Sequence, residues 1–297
     1  MRRTLEKSLQ MPKVVEPRYG NLPDETGSNG CFETMRVYRK KVFRLDAHLD
    51  RLYASAKFLG TAVPKREDLR ARLLKRLKQS QLAEAVLRVA LIPRSDGSLG
   101  NRRLFSSTAP QGLISIVVQP VILPPASVYR QGVHVAVVPT RKFPVSIVDP
   151  QAKYSARLGS VLAIMDAQLR TVDEALFTDA TGYVTESTAS NFGIIRKGAM
   201  FSSPCWVGLL SGITRDVLRE IAQSLDVPFH EVPLTRHDLY VADEAFLSST
   251  LKEILPVVSI DGRRIGTGWP GPISRALHRA FRELIRSETH RAQGCRG

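Results

Sequence analysis

Between positions 65 and 80 the chain reads KREDLRARLLKRLKQS, with Leu69, Leu73 and Leu77 recurring at helical spacing and basic residues filling the other positions. That period predicts an amphipathic helix with one apolar stripe and one solvated basic face. The stretch 274–291 repeats the arrangement through Ala276, Ala280 and Leu284. Three further helices are predicted at 46–60, 155–169 and 212–225, the first with Asp46 as N-cap and Gly60 as stop. Between them lie short β-prone runs: CFETMRVYRKKVFRL (31–45), two strands around the turn Arg39-Lys40-Lys41, then runs at 85–93, 112–121, 133–140, 174–178, 182–185, 192–196, 227–232, 244–248 and 255–260.

The order shows no sustained strand–helix–strand alternation and no internal repeat, so it predicts two α+β domains rather than one doubly wound sheet. Pro124-Pro125, inside ILPPASVYRQG, can continue neither helix nor strand and marks the linker. The expected division is an N-terminal α/β domain over 1–123 with its first twenty or so residues loosely held, a linker over 124–132, and a C-terminal domain over 133–297.

Composition narrows the class. The 297 residues are 43% hydrophobic, an ordinary globular balance. No apolar run approaches the ~20 residues that span a bilayer, and the start lacks the apolar segment of a secretory signal. Cys31, Cys205 and Cys295 are scattered, which fits a reducing cytoplasm and neither a disulfide framework nor a metal site. The net charge of +15 could signal nucleic acid or an anionic substrate. The surplus instead sits on the outer faces of predicted helices, without interleaved aromatics, so a specific nucleic-acid role is not expected.

Four stretches carry candidate chemistry. TGYVTESTASN (181–191) places a lone carboxylate, Glu186, among small and hydroxyl side chains. VDPQAKYSARLGSVLA places Lys153 after a Pro-containing loop with no carboxylate neighbour, suiting an amine desolvated for Schiff-base chemistry. LLSGITRDVL runs a Gly-Ile-Thr step into a helix, leaving free amides and the Thr214 hydroxyl for a phosphate. AFLSSTLKEILPV presents Ser248, Ser249 and Thr250 at a strand end, and Arg51 could add a cation. Singly, each also reads as an ordinary surface lysine, helix cap or exposed arginine.

Together, and in this order, they resemble the class IV pyridoxal-phosphate aminotransferases, which include branched-chain aminotransferases, D-amino-acid aminotransferases and aminodeoxychorismate lyases. The matching segments are GCFETMRVY, VFRLDAHLDRLYASAKFLG, DPQAK, VDEALFTDATGYVTESTASNFGII, GLLSGITRDVL, LYVADEAFLSSTLKEILPV and VVSIDGRRIGTGWPGPISRAL, covering nearly the whole chain. The resemblance implies the α+β fold type IV, with a smaller N-terminal α/β domain, a larger pseudo-barrel domain, and pyridoxal 5'-phosphate in the cleft between them. It implies a cytoplasmic homodimer acting on an amino acid and a 2-oxo acid such as 2-oxoglutarate, with no metal and no membrane. Lys153 would form the Schiff base and shuttle the proton, and Glu186 would pair with the pyridine nitrogen. Arg51, Ile213, Thr214, Ser249 and Thr250 would hold the phosphate, while Asn191 would shape the turn after Glu186. Phe32, Arg36, Tyr38 and Arg88 are the substrate-pocket candidates.

Departures from the family pattern bear on the substrate. Gly193 stands where an aromatic is expected, and Leu158 where branched-chain enzymes carry a tyrosine. PRSDGSLGNRRLF lacks the Arg-x-His pair of D-amino-acid enzymes, and Thr34 replaces a glycine in FETMRVY. A branched-chain-like donor is expected, with the lyase and the D-amino-acid aminotransferase as alternatives. A basic binding protein on a decayed scaffold is disfavoured by the intact Lys153 and Glu186.

Overall fold

A computed structural model describes residues 30–92 and 113–290. The N-terminal twenty residues, the PRSDGSLGNRRLF stretch and Cys295 lie outside the described residues.

The first sheet grows from the turn at Arg39 and Lys40, which take φ of 50° and 63°. Two successive left-handed residues match the twist of a two-residue hairpin and join β1 (Cys31–Tyr38) to β2 (Lys41–Val42). β3 (Ala85–Ile92) and β4 (Leu113–Pro120) complete the antiparallel order β2-β1-β3-β4. Helices α1 (Leu45–Phe58) and α2 (Arg66–Ser80) cover one face, packing Leu49, Leu52, Leu69, Leu73 and Leu77 against Met35, Val37, Leu87 and Val89. Burying each such leucine is worth about 1.5–3 kcal/mol, and the leucine period at 69, 73 and 77 exists to make this contact.

Two boundary expectations shift. Asp46 is not the N-cap of α1; Arg44 holds that position at φ 52°, and Asp46 lies in the first turn. There its charge still complements the helix N-terminus and faces Arg66 and Arg70 at 3.6 and 3.5 Å. Pro124-Pro125 ends the extended chain but starts a helix, since Pro125 is the N-cap of α3 (Ala126–Gln131). Proline is tolerated there because the first amides of a helix have no intrahelical acceptor to lose. Gly132 then turns the chain at φ 80°, where a Cβ would meet Val258 Cγ1 at 2.4 Å.

The second sheet contains β5 (Val133–Arg141), β6 (Glu174–Thr178), β7 (Val184–Ser187), β8 (Asn191–Arg196), β9 (Ala199–Ser202), β10 (Phe229–Glu231), β11 (Glu244–Ser249), β12 (Glu253–Ile260) and β13 (Arg263–Arg264). Its order runs β10-β9-β8-β11-β12-β5-β6-β7, and an extra β8–β7 pairing closes the strands from β8 to β7 into a barrel. Valines 133, 135 and 137, Leu176, Phe192, Ile194, Leu247 and Val257 fill one core. Outside the barrel, α5 (Ile213–Ser224) and α7 (Pro272–His290) pack Val217, Ile221, Leu277 and Phe281 against Phe246 and Ile254. The crossover α4 (Leu158–Leu169) joins the parallel neighbours β5 and β6, and α6 (Arg236–Tyr240) opens with a capping box at Thr235. This mixed architecture is the α+β class expected from the order of elements. No described helix is long and apolar enough to cross a membrane.

Candidate active site

A cleft of about 570 Å³ opens between the uncovered face of the first sheet and the rim of the barrel. Phe32, Thr34, Arg51 and Arg88 line it from one side, and Lys142, Lys153, Glu186, Thr214 and Thr250 from the other.

Lys153 reaches this cleft because its backbone is tied to the first sheet. Its carbonyl accepts the Phe32 amide at 3.1 Å, its amide donates to Ser55 Oγ at 3.0 Å, and Ser155 N–H bonds the Gly30 carbonyl at 2.8 Å. Among the described residues three lysines line the cleft, and two are spoken for: Lys142 Nζ lies 2.6 Å from Glu186, and Lys252 Nζ lies 2.7 Å from Glu174. Lys153 Nζ instead stands 4.9 Å from the centre of the Phe32 ring. Burial, with the Arg51 cation adding to it, pushes its amine down to about 7. A lysine so tuned carries a substantial neutral, nucleophilic fraction near neutral pH.

Glu186 owes its position to register. It pairs directly with Asn191 across the β7–β8 hairpin, so the five-residue spacing between them is that of a tight hairpin. One carboxylate oxygen takes Lys142 Nζ; the other accepts Asn191 Nδ2 at 3.2 Å and the Leu210 amide at 3.1 Å. Asn191 Nδ2 also donates to the Leu210 carbonyl at 2.8 Å, and a Cβ on Gly212 would come within 1.7 Å of Asn191 Oδ1. The glycine before α5 is thus what lets the acid and the helix start sit together.

Gly212 caps α5 without any side-chain hydrogen bond, and Ile213 and Thr214 follow it into the cleft. The first amides of a helix have no intrahelical acceptor, which suits a phosphate. Ser249 and Thr250 line the same cleft from the end of β11. Two buried hydroxyls on the cleft wall, Ser155 Oγ and Ser190 Oγ, have no hydrogen-bond partner among the described residues. Buried polar atoms are rarely left so, and a polar ligand would satisfy them. An amine, an acid, orphan hydroxyls and free helix amides in one cleft fit pyridoxal 5'-phosphate.

A family model described as amino-transferase class IV matches residues 30–260. The chain belongs to the class IV aminotransferases. A Methanocaldococcus jannaschii protein, provisionally named a branched-chain-amino-acid aminotransferase, is 36% identical over 257 residues, covering 86% of this chain and 87% of that protein. A D-alanine aminotransferase from Listeria monocytogenes is 31% identical over 258 residues, covering 86% and 87%. The branched-chain aminotransferase of Thermoproteus uzoniensis, solved with norvaline, superposes with a TM-score of 0.79 at 32% identity, covering 88% of this chain and 86% of that one. Another branched-chain aminotransferase structure, solved with N-(5'-phosphopyridoxyl)-L-glutamate, superposes with a TM-score of 0.80 at 29% identity, covering 87% and 85%. This chain is therefore a pyridoxal-phosphate-dependent aminotransferase of fold type IV.

The structure of this aminotransferase divides the four pocket candidates. Phe32 and Arg88 line the cleft with the Arg88 guanidinium 4.2 Å over the Phe32 ring, helped by the Thr34↔Arg88 pairing that puts both strands in register. Arg36 and Tyr38 share the Phe32 face of β1 but do not line the cleft. A strand advances about 3.3 Å per residue, so Arg36 and Tyr38 run past the opening. Arg36 pairs with Glu84 at 2.6 Å and Tyr38 donates to Glu253 at 3.1 Å. Arg51 lines the cleft but spends its nitrogens on Glu33 at 2.6 and 2.9 Å and on the Ser211 carbonyl at 2.7 Å.

Glu33, His48 and Lys142 were missed by sequence reasoning. Glu33 points from β1 toward α1, where His48 and Arg51, three residues apart and so on one helix face, both contact it. Burial alone would raise its carboxyl, but Arg51 and the His48 hydrogen bond hold it well below the usual range. Burial also keeps His48 below its ordinary value, against the pull of Glu33. A lone acid inside the apolar run of CFETMRVY was the available signal. The odd Gly193 has a packing reason: it faces Phe246 on β11, and a Cβ would meet that ring at 2.6 Å. Leu158, in the expected tyrosine position, is 69% exposed on α4 and outside the cleft wall.

Proposed function

We propose that this aminotransferase moves the amino group of a branched-chain-like amino acid to a 2-oxo acid such as 2-oxoglutarate. The observation carrying this reading is that Lys153, Glu186 and two phosphate-suited backbone turns converge on one cleft with an aromatic wall of Phe32, Phe143 and Phe177. The names of the similar proteins support the same substrate class. When bound, pyridoxal phosphate supplies an aldehyde for amines and a ring that takes up electrons.

In this reading Lys153 anchors the cofactor through its amine and, once displaced, carries the proton from the α-carbon. Glu186, oriented by Lys142, Asn191 and the Leu210 amide, keeps the ring nitrogen protonated. The Ile213 and Thr214 amides, the Thr214 hydroxyl, Ser249 and Thr250 hold the phosphate, with Arg51 behind them. Arg88 takes a substrate carboxylate, and Phe32 with its aromatic neighbours takes an apolar side chain. The two sheets support a division into two domains near the 121–132 connection.

A second copy of the chain is the expected partner. α4 exposes Val161, Leu162, Ile164, Met165 and Leu169, the last at 86%, beside the cleft residues Arg157 and Ser160. Such an apolar face on a globular protein is usually covered. The free thiols Cys31 and Cys205 fit a cytoplasmic setting.

The deciding experiment mixes the holoenzyme with L-branched, L-acidic, D- and aromatic amines and follows the visible band through one half-reaction. L-branched amines should bleach it fastest. Preferential bleaching by D-alanine would move the assignment to the D-amino-acid group, and pyruvate release from aminodeoxychorismate would move it to the lyase.

A further inference from the structure

Glu253 opens β12 just after the turn at 250–252, whose three residues all line the cleft. It takes the left-handed conformation, φ 53°, which is strained for a non-glycine residue, and it is only 3% exposed. Something must hold it there. Its Oε1 accepts the Tyr38 hydroxyl at 3.1 Å, and its Oε2 accepts His278 Nε2 at 2.8 Å and Arg282 Nε at 2.9 Å. Tyr38 belongs to β1 in the other sheet, while His278 and Arg282 stand on α7. Burial alone would raise the Glu253 carboxyl, but the bonds from His278 and Arg282 bring it down to about 2. The Tyr129 ring stacks on His278 with centroids 5.2 Å apart, and its hydroxyl donates to the Lys252 carbonyl at 3.1 Å. The Lys252 amide in turn donates to Ser249 Oγ at 3.2 Å. Both ends of the turn are therefore bonded, and the far end is held by residues that do not themselves line the cleft: Tyr38, beyond the cleft-lining part of β1, and His278 and Arg282 on α7.

We propose that Glu253 is a positioning residue for the phosphate end of the cofactor site, fixing the 250–252 turn against β1 and α7 so that Thr250 is held ready for a phosphate. This rests on the reading that Thr250 belongs to the phosphate cup. Tyr38 then serves the site from a distance, through Glu253.

The test compares two ligands on the apo full-length protein: pyridoxal 5'-phosphate and pyridoxal, which lacks the phosphate. Glu253→Gln keeps the shape and removes the charge that gathers three donors. It should weaken pyridoxal phosphate by about tenfold or more, the scale of one charged hydrogen bond, and leave pyridoxal within about twofold. Tyr38→Phe should give a smaller loss of the same sign, and it carries the test if Glu253→Gln fails to fold. Equal weakening of both ligands, or of neither, overturns the proposal, because general damage to the fold has no preference for phosphate. Thr250→Val separates the two levels: if it too spares phosphate selectivity, the phosphate-cup reading itself fails and the proposal with it. If Thr250→Val loses selectivity while Glu253→Gln and Tyr38→Phe do not, the proposal alone fails.

Discussion

Glu33 and Glu186 are both buried acids bonded to a basic side chain, yet the two regions around them use the pairing differently. Glu33 is 0% exposed and sealed between β1 and α1, with both oxygens taken by Arg51 and His48. Glu186 is 8% exposed on the cleft wall, held by Lys142 on one oxygen and by two weaker donors on the other. The first is a closed anchor that orients Arg51, on the cleft wall, toward the Ser211 carbonyl. The second faces the open cleft. Burial and ion pairing are common to both, so neither property separates them; lining the cleft does.

The sharpest way to break this comparison is to neutralise each acid in turn. Glu186→Gln should lower kcat by roughly 100-fold or more while leaving cofactor binding and thermal stability close to wild type. A variant with near-normal turnover would remove its assigned role. Glu33→Gln should do the reverse, costing about 3–5 kcal/mol of stability in chemical denaturation because Arg51 is left without its counter-charge in a buried site. Since the Glu33 carboxyl is depressed, this stabilisation is complete above its ordinary value of 4.5 and fades as pH falls below it. Loss of the wild-type-to-variant difference at neutral pH would contradict the anchor role.

A smaller effect is expected from Lys142→Met. Glu186 keeps the Asn191 and Leu210 donors, so the loss in kcat should be about tenfold, equivalent to roughly 1.4 kcal/mol for one charged contact. Lys142→Arg should recover most of it. Smallest is the pH dependence of cofactor capture by the apo protein. With the Lys153 amine near 7, the capture rate should rise as pH climbs toward 7 and level off above it, whereas an ordinary lysine would keep the rate rising to about 10.5. The same shift means the folded protein holds fewer protons than the unfolded chain between about 7 and 10.5, so this residue makes stability rise with pH across that window.

Much of this was legible in the chain. The leucine period at 69, 73 and 77 named the buried face of α2, and the ordered motifs pointed to Lys153, Glu186, Thr214 and Thr250, which line one cleft. Local patterns of this kind survive because the backbone itself presents the groups: a hairpin for Glu186, a helix start for Thr214, a strand end for Thr250. Arg36 and Tyr38 shared a face with Phe32, but their distance along β1 carries them past the cleft, a fact set by how the two sheets meet. Lys142 and Glu253 escaped notice because their partners come from distant segments: Glu186 for the first, and Tyr38, His278 and Arg282 for the second. Gly193 looked like a defect until Phe246, on the neighbouring strand, filled its space.

The most direct measurement traps the cofactor on the protein. Holoenzyme reduced with borohydride and mapped by peptide mass spectrometry should carry one phosphopyridoxyl group per chain, on Lys153, and Lys153→Ala should lose both the label and the visible band. A label on Lys142 or Lys252, the two other lysines of the cleft, or none at all, would contradict the account.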